Sequence, residues 1–251
     1  MKIDLTGKTA IIVGGSGGLG EAMAHTISGA GANIALVGRN QAKLDKVAGE
    51  LKAKGGKVET FTADMTSESD VKRLAGQVNA KFKNPQILIN SAGINIRKSV
   101  TDFTLKEFQS VVDSSLVTTF LACNAFVPGM KGTGYGRIIN LASMMAHISL
   151  PNRTAYSGGK AGLLGFTKSL ALELAMEGIT ANTISPGPFH TEMNVAVIND
   201  PEANKLFLSK LPVGRWGKVE EIGGLVCYLC SDLAGFITGT DIIIDGGWTA
   251  A

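Results

Sequence analysis

The chain has 251 residues, 45% of them hydrophobic, and a formal net charge of +3. This length and composition are typical of one globular domain with a well-buried core, here spanning 1–251. The small net charge, with no basic patch interleaved with aromatic residues, argues against a nucleic-acid partner. No continuous apolar run is long enough to cross a bilayer, so we expect no membrane partner. Three cysteines, an odd number, argue against a disulfide framework and favour a reducing cytoplasm.

A glycine-rich turn near the start of the chain is the first functional signal. KTAIIV (8–13) is a short β-branched run that predicts a strand, and EAMAHTISGA (21–30) predicts a helix. Between them lie Gly14, Gly15, Ser16, Gly17, Gly18, Leu19 and Gly20. In this strand–turn–helix context, glycines let backbone N–H groups approach a pyrophosphate, and the helix N-terminus adds its positive dipole end. An unliganded turn is the alternative, but the context favours dinucleotide binding.

Strand-like and helical patterns alternate along the whole chain. Strand-like runs occur at 8–13, 33–38, 57–63, 86–90, 137–142, 178–185 and 240–245. Strands that alternate with helices imply right-handed crossovers, and therefore an α/β fold with a parallel sheet and helices on both faces. The least regular stretch, 186–217, has prolines and glycines at both ends and is a candidate lid.

Several polar or glycine-containing segments directly follow predicted strands. They are the glycine turn, Asn90–Gly93, Ser143 and Pro186–Gly187. Ligands of doubly wound sheets bind beyond the carboxyl ends of the strands, so these segments are expected to meet in one crevice. We expect a cofactor half at about 1–140 and a catalytic and substrate half at about 141–251.

A tyrosine and a lysine four residues apart carry the predicted chemistry. Tyr156 and Lys160 lie in TAYSGGKAGLLGF, where apolar spacing predicts a helix over 154–178. Four residues are about one helical turn, so both side chains share one face. A lysine ammonium beside the phenol is expected to lower the pKa of Tyr156, which makes it a usable general acid or base. Ser143 lies thirteen residues before Tyr156. An exposed tyrosine with a solvated lysine is the alternative interpretation of the pair alone.

Taken together, these motifs resemble the short-chain dehydrogenase/reductase family over nearly the full length. The resemblance rests on Gly14-x-x-x-Gly18-x-Gly20, Asp64, Asn90-Ser91-Ala92-Gly93, Ser143, Tyr156-x-x-x-Lys160, Pro186-Gly187 and Asp245-Gly246-Gly247. It implies a single-domain, doubly wound, Rossmann-like parallel seven-stranded sheet and a homotetramer. It also implies that Tyr156 is the acid/base, that Lys160 binds the nicotinamide ribose, and that Ser143 holds the substrate oxygen.

The chain departs from the family pattern at three positions. Val13 stands where the family usually has Thr, and Ser91 replaces the second Asn of the NNAG segment. Ser115 aligns with the helical Asn of the catalytic tetrad, which in the family distorts its helix and anchors a proton-relay water. Ser115 is therefore a predicted catalytic position with a shorter side chain, and Ser114 is an alternative group for that task.

The residues after the second strand bear on the choice of nicotinamide cofactor. NAD-specific Rossmann sites place an acid there, on the ribose 2′-OH, whereas this chain has Gly38, Arg39 and Asn40. An arginine fork suits a 2′-phosphate, so we expect NADP rather than NAD. The residues expected at the cofactor are Gly14, Ser16, Gly17, Gly18, Leu19, Gly20, Arg39, Asn40, Asp64, Met65, Asn90, Ala92, Gly93, Tyr156, Lys160, Pro186, Gly187 and Thr191.

The substrate is less well defined by the sequence. NIRKS, PNRTAY and LPVGRWG most resemble gluconate 5-dehydrogenases, and 3-oxoacyl-carrier-protein reductases share most of the same motifs. Arg97, His147, Arg153 and His190 are the candidate substrate residues, since a sugar acid needs a cation for its carboxylate. Met144 and Met145 could instead form an apolar wall for an acyl chain. No metal site is expected, because the Cys227-x-x-Cys230 pair falls within an apolar helical stretch.

Three functional hypotheses follow. The leading one is an NADP-dependent dehydrogenase or reductase that acts on the alcohol or carbonyl of a small molecule, with a sugar acid as the expected substrate. The second keeps the same chemistry with a 3-oxoacyl thioester as substrate. The third is a cofactor-binding scaffold with little turnover, suggested by the Ser115 departure.

Overall fold

A computed structural model describes residues 3–250, apart from the side chain of Met193. The chain forms one seven-stranded, all-parallel sheet in the order β3-β2-β1-β4-β5-β6-β7. The strands are β1 Thr9–Val13, β2 Asn33–Gly38, β3 Val58–Thr62, β4 Ile87–Asn90, β5 Gly136–Leu141, β6 Ile179–Pro186 and β7 Asp241–Ile244. The α-helices are α1 Gly18–Gly29, α2 Gln41–Ala53, α3 Glu68–Phe82, α4 Leu105–Val112, α5 Thr118–Met130, α6 Thr154–Leu174, α7 Val195–Ile198, α8 Pro201–Leu208 and α9 Val219–Leu229. The predicted single-domain, doubly wound α/β fold is confirmed.

The central strands are buried on both faces because helices cover both sides of the sheet. Every residue of β1, β4, β5 and β6 is buried. Such strands contain continuous apolar runs instead of alternating ones, as in TAIIV and ILIN. Two large apolar clusters fill the space between sheet and helices, one on each face. The predicted strand boundaries agree with the structure to within one residue.

The strand order reverses direction at β1, which pairs with β2 on one side and β4 on the other. The connections on the two sides therefore leave in opposite directions and open a crevice above the carboxyl ends of β1 and β4. This is the place where ligands bind doubly wound sheets. The predicted meeting of the glycine turn with Asn90–Gly93 follows from this topology, since the amide N–H of Ser91 donates to the carbonyl oxygen of Val13 at 2.9 Å.

Two segments differ from the sequence prediction: one contains helices that were not predicted, and one predicted helix contains a π turn. The candidate lid 186–217 contains α7 and α8, and α8 begins where Asp200 accepts hydrogen bonds from the amide groups of Glu202 and Ala203. The predicted helix 104–130 is continuous in space, but Asp113–Val117 form a π turn between α4 and α5. Helix α6 ends at Leu174 and continues as a short 3₁₀ turn.

The helical run Leu105–Met130 corrects one sequence expectation. Its 26 residues are long and apolar enough, by length and composition alone, to cross a bilayer, with a mean hydropathy of 1.4 in the most apolar window. The serines and threonines inside the run hid this length when only continuous apolar residues were considered. Within the fold, the run packs against α3 and α6, and 44% of that window is buried inside the protein. The buried, apolar side of this run therefore packs in the protein core.

Candidate active site

A cavity of about 620 Å³ lies above the carboxyl ends of the strands. Its wall contains most of the predicted site residues: Gly14, Ser16, Gly17, Gly18, Leu19, Arg39, Asp64, Met65, Ala92, Gly93, Arg97, Ser143, Arg153, Tyr156, Lys160, Pro186, Gly187 and Thr191. Six predicted residues are not in the wall: Gly20, Asn40, Asn90, Ser115, His147 and His190. One cavity thus holds both the predicted cofactor residues and the predicted catalytic residues.

The glycine turn has the geometry that a pyrophosphate needs. Gly14 has a φ of +79°, and a Cβ there would lie 2.9 Å from the amide nitrogen of Ala92. A Cβ on Gly20 would lie 2.1 Å from the carbonyl oxygen of Gly14, so Gly20 packs the helix against the turn from outside the cavity. Helix α1 begins after Gly17 with no side-chain cap, which leaves its first N–H groups available to an anion. These residues fit a dinucleotide.

The end of the cavity next to β2 carries positive charge. Arg39 and Lys43 both lie in the wall, and Gly38 leaves no acid at the end of β2. Lys43 is a residue that the sequence analysis missed, although it lies one turn beyond Arg39. Hydrogen bonds from Thr66, with a smaller contribution from Arg39, lower the pKa of Asp64. Asn40 has a structural role, since its Oδ1 accepts a hydrogen bond from the Lys43 amide at 3.0 Å and caps α2.

Asn90 also has a structural position. Its amide Nδ2 donates to Asn140 Oδ1 at 2.8 Å, and Asn140 Nδ2 donates to Thr167 Oγ1 at 2.9 Å. All three residues are buried, so this chain of hydrogen bonds links β4, β5 and α6 beneath the cavity. Asn90 therefore braces the cavity floor, and Ala92 and Gly93 supply the wall.

Ser143, Tyr156 and Lys160 meet at the opposite end of the cavity. Ser143 follows β5, hydrogen-bonds to the Tyr156 hydroxyl, and accepts a hydrogen bond from the Met145 amide at 3.2 Å. Lys160 is buried on α6, with its Nζ 5.9 Å from the centre of the Tyr156 ring. Its Nζ donates to the carbonyl oxygen of Leu141 at 2.5 Å. The arrangement places an acid/base hydroxyl beside a second hydroxyl donor and a fixed amine.

The electrostatics of this group differ from the sequence expectation. Burial raises the pKa of Tyr156, while the hydrogen bond from Ser143 and the positive charge of Arg153 act in the opposite direction. Lys160 is not among the groups that lower the pKa of Tyr156, and burial lowers the pKa of the lysine itself to about 8. Burial thus favours the neutral form of both side chains. Their spacing along the helix does not indicate how deeply they are buried.

The π turn at Asp113–Val117 lies beside the catalytic helix. Ser115 is buried at its centre and donates to the Val112 carbonyl oxygen at 3.3 Å. A Cβ added to Gly159 would lie 3.1 Å from Ser115 Oγ, so the turn and α6 are in close contact. π turns are frequent at functional sites. The helix distortion is therefore present here although the residue at this position is Ser and not Asn.

Ser114, the alternative to Ser115, lies in the cavity wall. Its Oγ accepts a hydrogen bond from the Ile94 amide at 3.0 Å and donates to the Val111 carbonyl oxygen at 2.8 Å. Ser114 thus ties the segment after Gly93 to the π turn, while Ser115 bonds only within its own helix.

The four candidate substrate residues divide into two pairs. Arg97 and Arg153 lie in the cavity wall. His147 lies outside it, with Nε2 2.7 Å from Asp241 Oδ2 and 3.4 Å from Ser185 Oγ. His190 is exposed, and its amide donates to the Gly217 carbonyl oxygen. The expectation that both histidines border the substrate is corrected, because the 3₁₀ turn Met144–Ala146 directs Met144 and Met145 to the cavity and His147 toward β7.

The wall also contains several residues that the sequence patterns do not predict. They include Asn95, Leu150, Pro188, Phe189, Glu192 and Phe207. Asn95 lies next to the recognised glycines and could have been found by extending that segment. Phe207 comes from α8 and had no local signal. Cys227 and Cys230 are buried and free, as expected for core cysteines.

Among residues 3–250, one cluster outside the cavity has the spacing of metal ligands. Glu21, His25 and Glu50 place their ligand atoms within 4.8 Å of one another. Glu50 already has two partners, with His25 Nε2 at 3.3 Å and Lys46 Nζ at 3.9 Å. The first contact joins α1 to α2 and the second is a salt bridge within α2, so Glu50 has partners without a metal. The absence of a metal site stays a prediction.

Comparison with known proteins identifies the family. A family model for Enoyl-(Acyl carrier protein) reductase matches residues 14–249. D-beta-hydroxybutyrate dehydrogenase of Rhizobium meliloti is 35% identical, over 97% of this chain and 99% of that protein. The 3-oxoacyl-(acyl-carrier-protein) reductase of Aquifex aeolicus is 33% identical, over 98% of this chain and 99% of that protein. A crystal structure of a gluconate 5-dehydrogenase from Burkholderia cenocepacia, in complex with NADP and tartrate, is 29% identical with a TM-score of 0.94, covering 100% of this chain and 98% of that one.

These similarities extend over almost the whole chain and agree with the motifs that form the cavity. The relatives are dehydrogenases and reductases that act on CH–OH and C=O groups. The chain therefore belongs to the short-chain dehydrogenase/reductase family and is an oxidoreductase.

Proposed function

We propose that this protein transfers a hydride between NADP(H) and the ketone or secondary alcohol of a small acid. One observation carries the proposal: the Ser143–Tyr156–Lys160 group and the glycine turn line one cavity. A dinucleotide with its pyrophosphate at the turn would share this cavity with the hydroxyl of Tyr156. The alternative of a weakly active scaffold has less support, because all three catalytic side chains lie at the cavity.

The chain's own residues supply the proton chemistry. The bound nicotinamide provides or accepts the hydride. During reduction, Tyr156 donates its hydroxyl proton to the carbonyl oxygen of the substrate, and during oxidation it accepts the proton of the alcohol. Ser143 donates a second hydrogen bond to that oxygen, which stabilises the negative charge that develops there. Lys160, fixed by the Leu141 carbonyl oxygen, is placed to bind the nicotinamide ribose.

The preference for NADP rests on Arg39 and on the missing acid at Gly38, and Lys43 adds a second cation. Charge-assisted hydrogen bonds to a phosphate contribute about 1.5–3 kcal/mol each, so Arg39→Ala should weaken NADPH binding about 10-fold to 100-fold and leave NADH binding nearly unchanged. Titrating the two cofactors by nucleotide fluorescence measures this. Tighter wild-type binding of NADH, or an unchanged preference in Arg39→Ala, would contradict the proposal. Arg73→Ala, on the surface of α3, is the matched control.

The substrate proposal is a sugar acid or a related small acid, as in the gluconate 5-dehydrogenases. The arginines in the wall support it, since guanidinium groups bind carboxylates. The runner-up is a 3-oxoacyl thioester, supported by the apolar side chains of Met144, Met145, Leu150 and Phe207 on the same cavity. A panel of keto acids, sugars, acyl thioesters and quinones with NADPH and NADH tests both. No hydride transfer to any carbonyl in the panel would reject the oxidoreductase proposal for these classes.

We also propose that the enzyme works in the cytoplasm. All three cysteines are free and buried, which suits a reducing compartment. Fractionation of the producing cells, with the enzyme followed by its activity, tests this.

A further inference from the structure

The substrate end of the cavity has an unbalanced positive charge. Arg97, Arg153 and Lys160 line it near Tyr156. The acidic residues in the described wall are Asp64 and Glu192. Asp64 interacts with Arg39, and Glu192 lies 3.7 Å from Lys43, so both belong to the other end of the cavity. No described salt bridge neutralises Arg97 or Arg153.

Of the two arginines, Arg153 is in the position less favourable for a positive charge. It is half-buried, and its Nη1 is a buried donor with no hydrogen-bond partner among the described residues. It lies at the N-cap of α6, where the positive end of the helix dipole disfavours a cation. Burial lowers the pKa of Arg153, the neighbouring Arg97 lowers it further, and Tyr156 acts in the opposite direction. A buried charged donor without a hydrogen-bond partner is unfavourable, so an anion bound here would supply the missing partner.

The backbone holds Arg153 in this position. The preceding Asn152 has a φ of +66°, a left-handed conformation that Asn tolerates better than most residues. The carbonyl oxygen of Arg153 then accepts a hydrogen bond from the Ser157 amide at 2.8 Å, which starts α6. The guanidinium is thus attached to the helix that carries Tyr156, three residues away.

A second unsatisfied group lies in the segment after Gly93. Asn95 is in the cavity wall, and its buried Oδ1 has no donor among the described residues. Ser114 fixes the start of this segment through Ile94. An unpaired acceptor and an unpaired cationic donor on one cavity complement a molecule that has both a hydroxyl and a carboxylate.

We infer that Arg153, assisted by Arg97, binds a free carboxylate of the substrate, and that Asn95 accepts a hydrogen bond from a substrate hydroxyl. The substrate class is therefore a short hydroxy acid or its oxo acid. Met144 and Met145 line the same cavity and suit the carbon chain. An acyl thioester has no free carboxylate for Arg153 to bind. This inference rests on the proposed function, because it places the substrate at Tyr156.

The test measures binding, so that it does not depend on turnover. Gluconate and 3-hydroxybutyrate, each beside its uncharged carboxamide, are titrated into the protein–NADPH complex and followed by nicotinamide fluorescence. At least one acid should bind ten or more times more tightly than its amide. Arg153→Gln should remove that ratio, and Arg153→Lys should keep part of it. Asn95→Ala should weaken gluconate and its amide by the same factor, about 3-fold to 30-fold, because gluconate has hydroxyl groups besides the reacting one.

Arg73→Gln is the matched control, because Arg73 lies on α3 away from the cavity, and it should leave the ratio unchanged. An NADPH affinity equal to that of the wild type shows that each variant is folded. Equal binding of every acid and its amide by the wild type would overturn the inference, as would an unchanged ratio in Arg153→Gln. The acid that binds more tightly shows the substrate class: gluconate indicates a polyhydroxylated substrate, and 3-hydroxybutyrate indicates an aliphatic one. Binding without any hydride transfer would reject the proposed function and leave the carboxylate site standing.

Discussion

Tyr156 has an environment suited to a proton donor. Burial raises its pKa, so the hydroxyl keeps its proton at neutral pH, and Ser143 fixes its direction. Tyr156→Phe should therefore lower the rate of hydride transfer about 10²–10⁴-fold, because the proton for the substrate oxygen is lost. NADPH affinity should stay within a few-fold, since the glycine turn and Arg39 are unchanged. Steady-state rates and a fluorescence titration check this, and activity within a few-fold of the wild type would disprove the role of Tyr156.

The lowered pKa of Lys160 predicts how the free energy of unfolding depends on pH. Its pKa in the folded protein is about 8, lowered from 10.5 by burial. Between these two values the unfolded chain holds a proton that the folded protein has released, so the lysine's contribution to the free energy of unfolding rises with pH. The rise across that window should be about 3 kcal/mol.

Urea unfolding of the wild type and of Lys160→Met at pH 7, 8, 9 and 10.5 measures this contribution. The other titrating groups cancel in the difference between the two proteins. The wild type should gain stability relative to Lys160→Met as the pH rises above about 8. A difference that stays flat with pH would show that the folded protein does not hold Lys160 with a lowered pKa.

At the scale of elements, the π turn between α4 and α5 contains Ser115, where this chain departs from the family pattern. Ser115 stays within its own helix, whereas Ser114 reaches the Ile94 amide. The distortion thus persists without Asn because backbone geometry and Ser114 maintain it. We predict that Ser115→Asn does not harm activity and raises it if an anchored water limits the rate.

Rate and thermal stability of Ser115→Asn are measured together, with Ser110→Asn on α4 as the control for an added amide in the same helix. A tenfold or larger loss of turnover in a folded Ser115→Asn protein would contradict the prediction. It would mean that Ser115 contributes its own relay. Thermal stability is measured beside the rate because Ser115 lies close to Gly159, so a larger side chain could also displace the helix that carries Lys160.

At the scale of the whole molecule, several exposed apolar side chains lie on or next to two long helical runs, α4–α5 and α6. Leu172 is 83% exposed and Phe120 is 50% exposed, and Met176 follows α6 in an exposed position. Leu105 on α4 is also largely exposed. Matching apolar patches of this kind are buried when helices pair about a two-fold axis.

We therefore predict a homotetramer in which α4–α5 and α6 form one of the interfaces. Light scattering at micromolar concentration should give four times the mass of 26.1 kDa for the wild type. Leu172→Glu with Phe120→Glu should lower the mass and reduce activity, because the same helices carry Ser115, Tyr156 and Lys160. Asp113→Glu is a control for a conservative change on the same helical run. A fully active monomer would reject both the assembly and its support of catalysis.

The sequence by itself determined the parts that depend on local patterns. The alternation of strands and helices gave the layer order, the glycine spacing gave the turn at α1, and the four-residue spacing placed Tyr156 and Lys160 on one face. Neighbouring residues supply these signals through backbone geometry, so they can be recognised without knowing the fold.

Only the tertiary structure decided what depends on burial and on distant partners. His147 points to Asp241, 94 residues away, and Lys43 lies near Glu192 in the lid, and neither contact has a local signal. The pKa of Tyr156 rises because elements from across the chain exclude water from its hydroxyl, which outweighs the hydrogen bond from Ser143 and the charge of Arg153. The proposed substrate contacts of Arg153 and Asn95 are inferred for the same reason: their missing partners are visible only when the surrounding side chains are in place.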